Sequence, residues 1–157
     1  MSTFGRDSYQ WRETYFVMFE SARRPDVEQV KRALTGLQGT IELSNLTADA
    51  AGGFEAATLM APGEFSAVDI SYLTGEDVLL EGARLVEELG DTAPKAIRER
   101  LARCDARFDL MHFEHLLAEE PDDSDEVFDP GALLLALEAL VKLTGGIGVD
   151  PQSGTLM

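Results

Sequence analysis

Residues 54–73, FEAATLMAPGEFSAVDISYL, decide the reading of the fold. Phe54 to Met60 reads as one strand and Phe65 to Leu73 as the next, with the turn signal Pro62-Gly63 between them. In the second strand Val68, Ile70 and Tyr72 share one face, while Asp69 and Ser71 take the other. So short a connection argues for an antiparallel hairpin, because a parallel pair needs a crossover of a dozen residues or more. Hairpins that interrupt the alternation of strand and helix favour an α+β sheet over a doubly wound parallel one.

Toward the N-terminus, Tyr15-Phe16-Val17-Met18-Phe19 is an aromatic and β-branched run that reads as a buried strand. Pro25 opens a helix whose Val27, Val30, Leu34 and Leu37 form one stripe, ended by Gly36 and Gly39. Thr40 to Leu46 alternates as a half-buried strand, with Ile41 and Leu43 on one face. Toward the C-terminus, Thr74 is expected to cap a helix lined by Val78, Leu79, Leu85, Val86 and Leu89, with Gly90 as its stop. Pro94 opens a further helix on the stripe Ile97, Leu101 and Cys104. Phe108 to His115 reads as a strand from the alternation of Phe108 and Leu110, the alternative being a helix extended through Met111, Leu116 and Leu117. Residues 119–128 form an acidic loop, and Asp129-Pro130 starts a helix so rich in leucine that it must be covered on most sides. Gly145-Gly146 ends that helix, and Ile147–Val149 and Thr155–Met157 close the sheet. The expected order is β-α-β-β-β-α-α-β-α-β: one α+β domain over residues 1–157, a mixed, mostly antiparallel sheet with helices packed on one face, and residues 1–12 as a loose leading segment.

The chain has 157 residues, 45% of them hydrophobic and 27% charged, which is the composition and length of a single domain. Its net charge of −16 disfavours general binding of nucleic acid, which needs clustered cations. One cysteine, Cys104, fits a reducing compartment, and residues 1–8 hold no apolar signal core, so a cytoplasmic protein without a membrane span is expected. The charge is unevenly spread. Residues 94–107 carry five cations and two anions, whereas residues 108–157 hold only Lys142 against eleven anions.

Candidate chemistry is sparse. His112, Glu114 and His115 are the one histidine cluster. On a strand His112 and Glu114 share a face and His115 points away, whereas on a helix the two histidines could face one metal, for which no third ligand is identifiable. The acidic loop fails the EF-hand template, since Val127 stands where glycine is needed and Leu133 where glutamate is needed. Thr144-Gly145-Gly146-Ile147-Gly148 follows a helix instead of preceding one, so it reads as a helix stop and not a phosphate loop. Cys104 shares a stripe with Ile97 and Leu101 and reads as a core thiol. No cofactor is implied. Lys95, Glu99, Arg103 and Arg107 fall in one i, i+4 row, a surface ladder or a docking face for an acidic patch.

Cys104-Asp105-Ala106-Arg107-Phe108, Leu143-Thr144-Gly145-Gly146 and Asp150-Pro151-Gln152-Ser153-Gly154 together resemble the C-terminal third of small bacterial α+β proteins grouped only as domains of unknown function. The resemblance implies a bacterial cytoplasmic protein and brings no activity and no catalytic residue.

Two functions are therefore expected. The first is a non-enzymatic interaction module that forms a homodimer or binds a basic partner protein, in the manner of immunity proteins and antitoxins whose acidic surface steers association. Its interface candidates are Trp11, Lys95, Arg98, Arg103, Arg107, Leu134 and Val141. The second is a small enzyme or ligand-binding domain with a polar site on the open sheet face, lined by Glu42, Asp69, Ser71, His112 and Glu114.

Overall fold

A computed structural model describes residues 9–37, 41–61, 66–115 and 131–157. The elements are β1 (Tyr9–Phe19), α1 (Val27–Thr35), β2 (Glu42–Ala48), β3 (Phe54–Ala61), β4 (Ser66–Thr74), α2 (Glu76–Leu89), α3 (Lys95–Arg103), β5 (Ala106–His115), α4 (Gly131–Thr144), β6 (Ile147–Asp150) and β7 (Thr155–Leu156). They build one seven-stranded sheet in the order β2-β3-β4-β5-β1-β6-β7, antiparallel at every neighbouring pair. The two strands β3 and β4 pair antiparallel as expected, with Ala61 opposite Ser66 and Ala57 opposite Ile70, and the Pro62-Gly63 turn lies outside the described residues. The alternative helix after Arg103 is not formed: residues 106–115 are strand, so Arg107 leaves the row of Lys95, Glu99 and Arg103. Tyr9 to Arg12, expected to be loose, begin β1, and the acidic loop lies outside the described residues.

The helices do not share one face. Val17 and Phe19 of β1 point toward α1 and α4, where Val30, Leu34, Leu133, Ala136 and Leu140 complete a large core with Phe54, Phe108 and Leu110. Phe16 and Met18 point the other way, to Val78 and Leu85 of α2 and Leu101 of α3. The cause is in β1 itself: a strand with apolar residues at consecutive positions buries both faces, so each face needs a cover. On the α1/α4 face the rings of Phe19 and Phe108 lie 4.8 Å apart, and Phe54 meets Phe108 edge-on at 5.5 Å.

Local chemistry sets the element ends. Asp26 accepts from the Gln29 N–H at 2.8 Å while the Gln29 side chain accepts from the Asp26 N–H at 2.9 Å, a reciprocal cap for α1. Thr74 does not cap α2; it donates to the Asp105 carbonyl at 2.7 Å, and Gly75 occupies the cap position at φ 125°. On the other face, α2 and α3 approach closely at Gly82, where a Cβ would stand 2.6 Å from the Leu101 carbonyl oxygen. No helix among the described residues is long and apolar enough to cross a membrane.

Candidate functional site

The five residues expected to line a polar site on the sheet do not converge. Glu42 is exposed on the edge strand β2. Asp69 and Ser71 project to the α2/α3 face, opposite to Val68 and Ile70. There the half-buried Asp69 accepts from Thr58 Oγ1 at 3.3 Å, and Thr58 Oγ1 accepts from Asn45 Nδ2 at 3.2 Å. Burial raises the Asp69 pKa above the ordinary carboxylate value, and the Thr58 bond partly offsets it.

His112 and Glu114 lie on the α1/α4 face, and around them a polar network does assemble. His112, 2% exposed, holds its Nδ1 2.6 Å from Glu13 Oε2 on β1. Glu114 is also buried and meets Arg12 Nε at 3.2 Å. Burial raises the Glu114 pKa, with the Arg12 charge acting against it. Ser66 lies directly across from Glu114 on β4, and its Oγ, like His112 Nε2, is buried with no hydrogen-bond partner among the described residues. Each such orphan costs roughly 1–3 kcal/mol. With the imidazole this enclosed, the Glu13–His112 pair acts as a polar brace between β1 and β5. Sequence reasoning missed Arg12, Glu13 and Ser66, because only the long-range register, Glu13 opposite His112 and Ser66 opposite Glu114, brings them there. His115 closes β5, and its side chain lies outside the described residues. Among the described residues no group of three His, Cys, Asp or Glu side chains is placed to hold a metal ion.

The interface candidates spread over several surfaces. Lys95 faces Glu99 at 4.0 Å, Arg98 donates to the Ala93 carbonyl at 3.2 Å, and Arg103 stands 3.6 Å from Glu20. Arg107 is mostly buried, bonded to Asp109 at 2.7 Å and stacked 4.1 Å over the Phe16 ring. Trp11 is 46% exposed and donates from Nε1 to Thr14 Oγ1 at 2.9 Å.

Leu134 and Val141 do come together. They line a groove of about 360 Å3 along the outer side of α4, with Leu137, Glu138, Lys142 and Met157. The groove exists because α4 has more apolar positions than the sheet can cover. Leu133, Ala136 and Leu140 reach the core, while Leu134 remains 42% and Met157 51% exposed. At the groove's floor Leu137 lies against Gly148 of β6. In comparisons with known proteins, no family model, curated protein or solved structure matches the chain.

Proposed function

We propose that the protein is a non-enzymatic interaction module that pairs with a second copy of itself through the outer face of α4. The groove along that helix carries the reading, because it joins exposed apolar side chains to one carboxylate and one ammonium group. Glu138 and Lys142 lie one helical turn apart, and no ion pair joins them among the described residues. Lys142 is the lone cation after residue 107. Two α4 helices packed antiparallel about a two-fold axis near Val141 set Glu138 of each chain against Lys142 of the other. That is the self-complementary pattern an isologous interface requires. A 14-residue helix is only about 21 Å long, so Met157 and the β7 edge must widen the contact toward the roughly 1,200 Å2 of a stable complex. A dimer of micromolar strength is expected. The buried, unpaired thiol of Cys104 supports a cytoplasmic setting.

Salt separates this reading from capture of a basic partner protein. Two chains of charge −16 repel, so screening should tighten an apolar self-contact, whereas salt weakens association between opposite charges. Sedimentation equilibrium over about 1–300 μM should show a monomer–dimer equilibrium that shifts toward dimer as salt rises. Leu134→Glu should return the chain to monomer with its thermal unfolding unchanged. A chain that stays monomeric across that range at both low and high salt overturns the proposal.

A further inference from the structure

A second cleft, of about 200 Å3, opens where the turn after β1 meets the C-terminal end of α3 and the turn after α4. Its rim carries Arg23, Arg100 and Arg103, three guanidinium groups in a chain whose charge is −16. Backbone geometry builds this wall. Thr144 Oγ1 donates to the Leu140 carbonyl at 2.8 Å and accepts from the Gly146 N–H at 3.1 Å, which folds the turn tightly onto the end of its helix. A Cβ at Gly146 would stand 2.5 Å from the Met18 carbonyl oxygen, so only glycine lets this turn lie against β1.

The arginines are under-neutralised. Arg103 faces Glu20 at 3.6 Å, the sole carboxylate among the described residues that line the cleft. Asp105, which follows Cys104 of the cleft, is occupied by the Ser21 N–H at 2.7 Å and the Ser21 hydroxyl at 2.8 Å. Arg100 donates only to the Gly145 carbonyl, and Arg23 has no carboxylate partner among the described residues. Its neighbour Arg24, by contrast, is bonded to Asp49 at 2.8 Å. Favourable contact with the C-terminal end of the α3 dipole accounts for Arg100 and Arg103 but not for Arg23, which comes from a different element.

We propose that this cleft binds a phosphate-type oxyanion, gripped by the guanidinium groups of Arg23 and Arg100 with Arg103 adding charge. Guanidinium suits that task because its fork of N–H groups matches two oxygens of one phosphate. The volume exceeds what a bare phosphate fills yet falls below the roughly 300 Å3 of ordinary ligand pockets. A small phosphomonoester is the better fit.

Titration of the full chain with inorganic phosphate and with glycerol 3-phosphate, at constant ionic strength and read by calorimetry, tests this. Saturable 1:1 binding is expected, tighter for the ester, and Arg23→Gln and Arg100→Gln should each weaken it about tenfold or more. Arg23→Lys, which keeps the charge and loses the fork, should also weaken it. Arg84→Gln, at an α2 arginine that does not line the cleft and is paired with Glu81 and Glu88, should leave affinity unchanged. Equal affinity for the two probes supports the oxyanion site and makes the free ion its ligand. No saturation by about 10 mM of either probe overturns the proposal, as does equal weakening by Arg84→Gln.

Discussion

The two faces of the sheet share β1 and β5 yet are closed in different ways. The α1/α4 face is sealed by large side chains: the rings of Phe19 and Phe54 pack tilted and edge-on against Phe108 at its centre, and Arg24 lies 4.1 Å over the Tyr72 ring. The α2/α3 face has a smaller cluster and relies on close backbone approach, with Gly82 against Leu101. One face depends on the volume it contains, the other on volume being absent. They should therefore fail under opposite kinds of substitution.

The largest effect is expected on the first face. Phe108→Ala empties the ring that touches Phe19, Phe54 and Tyr72, and should cost roughly 3–5 kcal/mol. Leu101→Ala on the second face should cost less, toward the lower end of the roughly 2–5 kcal/mol typical of buried leucine. Urea unfolding of both variants measures the difference. If Leu101→Ala costs as much as Phe108→Ala, the two faces are not built differently.

How much of this was legible follows from particular residues. The pairing of β3 and β4 is written in alternation and a Pro-Gly signal, both local, and the two strands lie antiparallel as expected. The position of α2 and α3 was not legible from their own stripes, since an amphipathic helix shows that it packs without showing where. The sign was in Tyr15 to Phe19, whose unbroken apolar run demands a cover on both sides. Arg107 was misplaced because the helix stripe through Cys104 runs on without a break signal, whereas pairing with β1 and β4 turns the chain to strand at Ala106. The Glu13–His112 contact joins residues 99 positions apart, and the cleft arginines come from two separate elements facing a third. Neither has a local signature.

Overpacking gives the second test. Gly82→Ala adds one methyl group against the Leu101 carbonyl, backbone that cannot swing aside, and should cost roughly 1–3 kcal/mol. In a domain of this size that is about 2–4 °C in Tm for each kcal/mol. Gly148→Ala is the matched control. Its Cβ would meet only ordinary contacts at 3.5 Å and beyond, so it should shift Tm far less. Equal shifts would mean that close approach is not what holds α2 to α3.

The smallest expected effect is electrostatic, and it carries opposite signs on the two faces. Asp105, on the link between α3 and β5, is held below the ordinary carboxylate pKa by the Ser21 N–H, burial opposing and the Ser21 hydroxyl assisting. A depressed folded pKa gives stability that is complete above the ordinary carboxylate value and is lost as pH falls through the folded one. Glu114, on the α1/α4 face, is shifted upward by burial. Its ionised form carries a cost at neutral pH that is relieved as pH falls through the raised value. Acidification therefore loosens the Ser21–Asp105 joint while it eases the Glu114 site. Stability measured by urea unfolding between about pH 3 and 7 should fall less steeply on the acid side in Asp105→Asn and more steeply in Glu114→Gln. Solvent screening keeps both changes small, so the sign of each is the decisive reading. Slopes that change in the same direction would show that acid acts on the fold as a whole and not on these two carboxylates separately.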